Sequence, residues 1–463
     1  MVTISLSEEN MQRLAHAYAG KLLLRQEIAI SNRQLTQLIT AHLFTPIQSI
    51  QRKRLSHVCQ RCGNKRRSLF GMMRCARCQK RHLYCRNCID MGRVMACEPL
   101  YYWTGQQPMW PSVEEPCVWK GRLTENQQIG ADRIVQTVQS KNTELLVWGV
   151  CGAGKSEMLF QGIEAALLQN KRICIATPRS DVVRELLPRF KEVFPDIKIH
   201  GLYGGSRDRS GIAQLTISTT HQLYRFKQAF DMMIVDEVDA FPYHADPSLP
   251  FVTQRSKKKH GSVIYLTATP RKEQKLNIRR KILPHVFIPT RYHGYPLPVP
   301  TFKMCFSLQN DLKNGLPPQA FLHWFKQREQ KQRQLLIFVP TIQLATTLAR
   351  QLRLVLPDQR IRSVHAYDAN RREKIHAFRK QSYSILVTTT ILERGVTFPS
   401  IDVVVIDAGH AVFDEAALIQ MAGRAGRSAQ DPTGEVIFYH DGQTNDMVQA
   451  AHEIRLMNKR GGF

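Results

Sequence analysis

Nowhere in the chain do apolar residues run uninterrupted for the about 18 positions that a membrane-spanning helix needs. The start also lacks the charged, apolar and small-residue succession of a secretion signal, so neither a span nor a leader is expected and the chain reads as cytoplasmic. Internal repeats and low-complexity tracts are missing too, which excludes solenoids and fibrous arrays. Acid is scarce: 38 Asp and Glu face 65 Lys and Arg, a formal net charge of +27 over 463 residues. A field of that sign calls for anions outside the protein. A phosphate backbone supplies them and releases counterions on binding, with an anionic membrane surface as the competing explanation. Apolar residues make up 43%, enough to fill the two to four cores that this length allows.

Eleven cysteines are present, and six of them form three Cys-x-x-Cys pairs between Cys59 and Cys88. In a reducing compartment that pattern points to metal rather than to disulfides. Cys59, Cys62, Cys85 and Cys88 bracket a hairpin-like centre, so their pairs can converge as two knuckles on one tetrahedral Zn²⁺. Cys75 and Cys78 fall near the hairpin tip, either spare or holding a second metal between subunits. Cys97, Cys117, Cys151, Cys174 and Cys305 read as isolated buried thiols. The same stretch carries Arg61, Lys65, Arg66, Arg67, Arg74, Arg77, Lys80, Arg81 and Arg86 with Phe70, His82 and Tyr84 among them. Cations beside planar rings suit single-stranded nucleic acid, whose bases stack while its phosphates pair.

Helix-like apolar spacing runs through residues 1–55, a zinc-binding module is expected over 56–98, and a Pro- and Gly-bearing linker over 99–118. Val- and Ile-rich runs then alternate with longer helical patterns over 119–295, are broken by prolines in a hinge over 296–328, and resume over 329–463. Short buried strands with crossover helices give that rhythm. The expected class is α/β: two RecA-like lobes with parallel sheets, preceded by the four-cysteine module and a helical N-terminal segment.

Gly149-Val-Cys-Gly152-Ala153-Gly154-Lys155-Ser156 follows a predicted strand and opens a predicted helix. Its glycines let backbone N–H groups wrap phosphates, Lys155 reaches the outer phosphates of ATP, and Ser156 ligates Mg²⁺. Downstream, the strand Asp231-Met-Met-Ile-Val-Asp236-Glu237 ends in two carboxylates, Asp236 to hold Mg²⁺ and Glu237 to polarise the attacking water. Gln420-Met-Ala-Gly423-Arg424-Ala-Gly426-Arg427 lies on a helical pattern that sets Gln420, Arg424 and Arg427 on one face. From a second lobe, such arginines can stabilise charge developing on a γ-phosphate.

These elements, in this order, resemble the nucleotide motifs of superfamily 2 helicases, over roughly residues 120–443. The resemblance implies that Gln127, in Leu123-Thr-Glu-Asn-Gln127, reads adenine. It further implies strand contacts by Arg179, Thr219, Thr220, Thr388 and Thr389, and coupling of hydrolysis to movement by Thr267, Thr269 and Gln420. Leu83-Tyr-Cys-Arg-Asn-Cys88 with Met91-Gly-Arg-Val94, and Asp236-Glu-Val-Asp-Ala-Phe-Pro-Tyr243, resemble the ComFA family of late-competence ATPases nearly end to end. That resemblance implies ATP-driven handling of single-stranded DNA during natural transformation. The implied partners are the uptake machinery at the inner membrane face, including a channel protein and a phosphoribosyltransferase-like ComF protein, with homo-oligomerisation open. A replication-restart helicase of the PriA type and a zinc-bearing single-strand-binding adaptor are the alternatives.

Overall fold

The computed structural model describes residues 7–54, 56–208 and 210–463; residues 1–6 of the expected helical segment lie outside it. By compactness the chain divides into two units, Met1–Leu123 with Gln128–Val147 and Ser156–Val286, and Thr124–Gln127 with Trp148–Lys155 and Phe287–Phe463.

A seven-stranded sheet holds, side by side, Ile199–Leu202, Leu215–Thr219, Ile173–Thr177, Phe230–Asp236, Lys257–Thr267, Glu144–Gly149 and His285–Ile288. Ile173–Thr177 and Leu215–Thr219 are buried throughout, as strands covered on both faces must be. Helix Ser180–Val193 lays Val182, Val183, Leu186, Phe190 and Val193 on its inner face, the stripe of a period near 3.6. The phosphate loop follows Glu144–Gly149, and the acidic pair ends Phe230–Asp236.

The second unit contains a six-stranded parallel sheet in the order Thr301–Met304, Val436–His440, Ile401–Ile406, Gln334–Phe338, Ile385–Thr388, Ile361–Val364. Its helices start on polar caps: Thr341 accepts from Leu344 N–H (3.2 Å) and Asp414 from Ala417 N–H (2.8 Å). The hinge expected over 296–328 is corrected here. Thr301–Met304 is an edge strand of this sheet, followed by helices Leu308–Lys313 and Gln319–Gln327. Prolines flank that strand without entering it, which an edge position tolerates, and they hid it among linker signals.

The helical segment over 1–55 is also corrected. Helices Glu8–Tyr18 and Asn32–Thr40 are there, but Leu22–Leu23 and Phe44–Ile47 flank Leu100–Trp103 in an antiparallel sheet. The linker expected over 99–118 therefore begins with a strand. Two- and four-residue strands carry too little alternation to be read from spacing, and their partner lies more than fifty residues away.

The cysteine module adds the hairpin Phe70–Arg74 and Arg81–Cys85, extended by Val94–Met95, and the pair Ile50–Arg52 with His57–Cys59. It shares one core with the first sheet's helices and strands: Cys59, Cys62, Cys85 and Cys88 cluster with Tyr224, Phe230, Leu249 and Val252. Arg255 donates to the carbonyls of Gln60 (3.0 Å) and Arg61, and Asn87 donates to the Ser248 hydroxyl (2.6 Å). Gly63 has φ +73°, and any Cβ there would lie 2.6 Å from the Phe251 ring.

Candidate nucleotide site and metal centre

Within the second unit, the phosphate loop bends through Gly152 (φ +84°) and Gly154 (φ +71°), conformations that L side chains rarely adopt. Lys155 Nζ donates back to the carbonyls of Gly149 (3.0 Å) and Val150 (3.4 Å), which holds its charge over the loop. Gln127 is buried, with its amide divided between two tasks. Its Oε1 accepts from Thr124 N–H (2.8 Å) and its Nε2 donates to the Ala153 carbonyl (3.0 Å), fixing the segment 124–127 to the loop.

The loop packs on the chain around Gly423. Cys151 Sγ lies 3.3 Å from Gln420 Oε1, and a Cβ on Gly423 would come within 2.4 Å of the Cys151 Cβ. The helix expected to carry Gln420, Arg424 and Arg427 on one face ends at Ala422, and Gly426 turns with φ +60°. The Arg424 guanidinium is buried and donates to the carbonyls of Glu393 (2.9 Å) and Val396, clamping the loop after Thr388–Thr390. Arg427 stays half-exposed, with Nε donating to the Gly423 carbonyl at 3.0 Å.

Motif spacing missed Arg291. It is 1% exposed, its Nε would stand 3.2 Å from a Cβ on Gly152, and its Nη2 donates to the Ala425 carbonyl at 2.8 Å. Burial, then the neighbouring Arg427, pushes its pKa down to about 10. A lone arginine in a proline-rich stretch offers no sequence signal for such a bridge.

In the first unit, Asp236 Oδ1 accepts from the Glu237 N–H at 2.9 Å. Glu237 adopts φ +54°, and its Oε2 is buried with no hydrogen-bond partner. Asp239, quoted in the motif but given no role from sequence, is fully buried and accepts from the hydroxyls of Thr267 (2.6 Å) and Thr269 (2.5 Å). The carboxylate three residues beyond Asp236 thus ties the acidic strand end to the Thr267-Ala-Thr269 segment.

The residues expected to touch a strand are mostly internal. Thr219 and Thr220 are buried, and the Thr220 hydroxyl has no hydrogen-bond partner. Thr388 is fully buried and donates to the Val364 carbonyl (3.1 Å), and Thr389 is buried beside it. Arg179, half-exposed, stands at the N-terminus of helix Ser180–Val193.

Cys59, Cys62, Cys85 and Cys88 come together with all four sulfurs within 4.8 Å of one another, Cys59 at 3.7 Å from Cys88 and Cys62 at 3.6 Å from Cys85. Tetrahedral bonds of about 2.3 Å to zinc separate sulfurs by about 3.8 Å, so the donor set fits that ion. Hydrogen bonding inside the cluster pulls the Cys59 thiol down, chiefly through Cys62, and the Cys85 thiol down, chiefly through Cys59, while it pushes Cys88 up. Four adjacent sulfurs ionise together only around a cation. Arg61, fully buried and paired with Glu27 at 2.8 Å, lies in the knuckle itself, and Arg255 feels the charges of Cys59, Cys62 and Cys88. Arg61 is therefore removed from the basic surface; Lys65, Arg66, Arg67, Arg74, Arg77, Lys80, Arg81 and Arg86 remain exposed. Cys97 is corrected as well: it stands in a second group with Cys75 and Cys78.

The described residues contain no helix long and apolar enough to cross a membrane. Three family models match: the competence protein ComFA N-terminal domain over residues 7–102, the type III restriction enzyme res subunit over 120–272, and the helicase conserved C-terminal domain over 318–429. Among solved structures, Saccharomyces cerevisiae Dbp5 bound to RNA and ADP BeF3 is similar with a TM-score of 0.52 at 16% identity, covering 72% of this chain and 91% of that one. Mss116p bound to ssRNA and AMP-PNP gives 0.51 at 16%, covering 69% and 72%. Both likenesses concern the fold of the two RecA-like lobes. Competence protein ComFA of Bacillus subtilis is 42% identical over 456 residues, 98% of this chain and 96% of that protein. Its Streptococcus pneumoniae counterpart is 37% identical over 96% and 99%. With a cysteine module joined to superfamily 2 helicase lobes and this degree of identity across nearly its whole length, the chain belongs to the ComFA family of competence proteins.

Proposed function

We propose that the chain is an ATP-driven motor that moves single-stranded DNA into the cytoplasm during natural transformation, working on the inner face of the membrane beside a channel protein and a phosphoribosyltransferase-like partner. The observation that carries this reading is the Asp239 link, which joins the water-activating strand end to Thr267 and Thr269 by two short hydrogen bonds. A bare phosphate-binding fold has no need of that connection; a motor needs hydrolysis to be felt elsewhere.

In this reading Lys155 and the backbone N–H groups of Gly152, Ala153, Gly154 and Ser156 hold the phosphates of ATP, and Gln127 borders the base. Ser156 and Asp236 would hold Mg²⁺, which supplies neutralising charge to the phosphates when bound. Glu237 orients and deprotonates the attacking water through its buried, unpaired oxygen. Arg427 offers positive charge to the transition state, while Arg424 and Arg291 position it. Zn²⁺ at Cys59, Cys62, Cys85 and Cys88 cross-links the module. The exposed cations of that module, with Arg179 and the backbone around Thr219, Thr220, Thr388 and Thr389, meet DNA phosphates without reading bases.

The test is steady-state ATPase of the purified full chain, alone and with single-stranded DNA or RNA of equal length. Turnover should rise several-fold with DNA and less with RNA. Equal turnover without any nucleic acid contradicts a coupled motor, and a stronger response to RNA turns the reading toward an RNA helicase. Uptake of labelled DNA by a deletion strain, restored by the wild-type chain and not by Lys155→Ala, ties the ATPase to transformation.

A further inference from the structure

Beyond the four-cysteine centre, the module carries a second set of converging ligands. The sulfurs of Cys75, Cys78 and Cys97 all lie within 4.8 Å of one another, and the His82 Nε2 is 3.1 Å from Cys78 Sγ. Topology brings the three cysteines together, and sets His82 beside Cys78 at the edge of the group. Cys75 and Cys78 lie in the tip of the hairpin that joins Phe70–Arg74 to Arg81–Cys85. The neighbouring strand pairs Cys85 with Val94 and Tyr84 with Met95, and Ala96 N–H continues the ladder to the Leu83 carbonyl at 2.9 Å. Past that bond the chain turns, Glu98 N–H donating to the Met95 carbonyl at 3.1 Å, and Cys97 lies in this turn with its sulfur against the hairpin tip.

The backbone at the tip repeats that of the first centre. In Cys59-x-x-Cys62-Gly63 the Gly63 N–H donates to the Cys59 carbonyl at 2.8 Å, with Gly63 at φ +73°. In Cys75-x-x-Cys78-Gln79 the Gln79 N–H donates to the Cys75 carbonyl at 2.9 Å, with Gln79 at φ +59°. A non-glycine residue in the left-handed region is uncommon and needs a reason. A turn that points two thiols at one spot supplies it, since this is the knuckle that presents cysteine pairs to zinc. The surroundings suit the charge. Three thiolates and a neutral imidazole leave a Zn²⁺ site at −1, and the cleft of about 170 Å³ beside the three cysteines is lined by Arg25 and by Arg77, the latter paired with Glu98 at 3.1 Å.

We propose that Cys75, Cys78, Cys97 and His82 form a second zinc site within one chain, separate from the four-cysteine centre. Its task is mechanical: it pins the hairpin tip, with Arg74, Arg77, Lys80 and Arg81, to the turn at Cys97, so that a segment with almost no core of its own keeps one shape.

Elemental analysis of the full chain after dialysis tests this without reference to nucleic acid. Two zinc ions per chain are expected, falling to one in Cys97→Ser and in Cys78→Ser. A count of one in the wild type, unchanged by Cys97→Ser, overturns the second site and leaves the first; a count of none overturns both. Two readouts guard against misfolding of a variant. Limited trypsin digestion should cut Cys97→Ser at Arg77, Lys80 or Arg81 at least tenfold faster than wild type, with the rest of the chain resistant, and equal rates count against the pin. His82→Ala should release one zinc to a competing chelator more readily than wild type, and His82→Cys should restore retention; identical release from all three removes His82 from the ligand set.

Discussion

Glu237 combines two features that a stable fold would otherwise avoid, a left-handed backbone and a buried carboxylate oxygen with no partner. Together they cost on the order of 2 kcal/mol, and both are explained if that oxygen is kept for a reacting water. Glu237→Gln should then bind ATP as wild type does while turnover falls by about 10² to 10⁴-fold, the usual worth of a positioned base. Nucleotide binding by fluorescence titration, set beside ATPase rates, decides it, and near-normal turnover would sink the assignment. The two arginines of the Gly423–Arg427 segment should separate in kind. Arg424→Ala strands two buried carbonyls and should lower stability by about 3 kcal/mol, visible in thermal melts. Arg427→Ala, half-exposed with one bond to the Gly423 carbonyl, should leave the melt unchanged within about 0.5 kcal/mol and cut turnover. If both variants melt alike, the division of labour drawn here fails.

At the scale of elements, the cysteine module is continuous with the first unit's core rather than tethered to it. Zinc loss should therefore not stay local. If zinc is held by Cys59, Cys62, Cys85 and Cys88, its removal withdraws the support under Leu249, Val252 and Tyr224 and loosens Arg255 from the Gln60 and Arg61 carbonyls. Cys59→Ser should broaden and lower the first unit's melting transition, with hydrogen exchange accelerated in helix Ser248–Ser256 as well as in the module. Exchange that quickens only between Cys59 and Cys88 would show the module to be an independent appendage. The Asp239 link makes a second prediction at this scale. Asp239→Asn replaces one acceptor oxygen with a donor facing a threonine hydroxyl, so stimulation of ATPase by single-stranded DNA should fall more than basal turnover does. A proportional loss of both rates would assign Asp239 a structural role alone.

For the whole molecule, the excess of 65 basic over 38 acidic side chains sets how binding responds to salt. A strand neutralised at about six phosphates should lose about 300-fold in affinity between 50 and 200 mM salt, from a slope of about −0.7 per phosphate. Replacing Arg74, Lys80 and Arg81 together should flatten that slope without changing preference among sequences, because these side chains meet phosphates and not base edges. Fluorescence anisotropy at four salt concentrations measures both. A slope unaffected by the triple replacement would move the strand away from the module.

The α/β class, the two parallel sheets and the cysteine pairs were legible because each rests on local pattern. A run such as Ile173–Thr177 is apolar in every position because both faces are covered, and Gly152, Gly154 and Lys155 announce a phosphate loop by spacing alone. The Val- and Ile-rich runs of the two lobes correspond to strands of the structure. What depended on chain segments meeting from far apart was not legible. Leu100–Trp103 reads as linker until Leu22–Leu23 and Phe44–Ile47 pair with it. Arg61 reads as a surface cation and Arg424 as a phosphate-facing one until a carboxylate and two carbonyls, distant in sequence, surround them. Cys97 reads as isolated until the turn after Val94–Met95 sets it beside the hairpin tip. Periodicity records whether a residue is buried, whereas hydrogen bonds and metal ligation depend on which partners arrive, and tertiary pairing alone decides that.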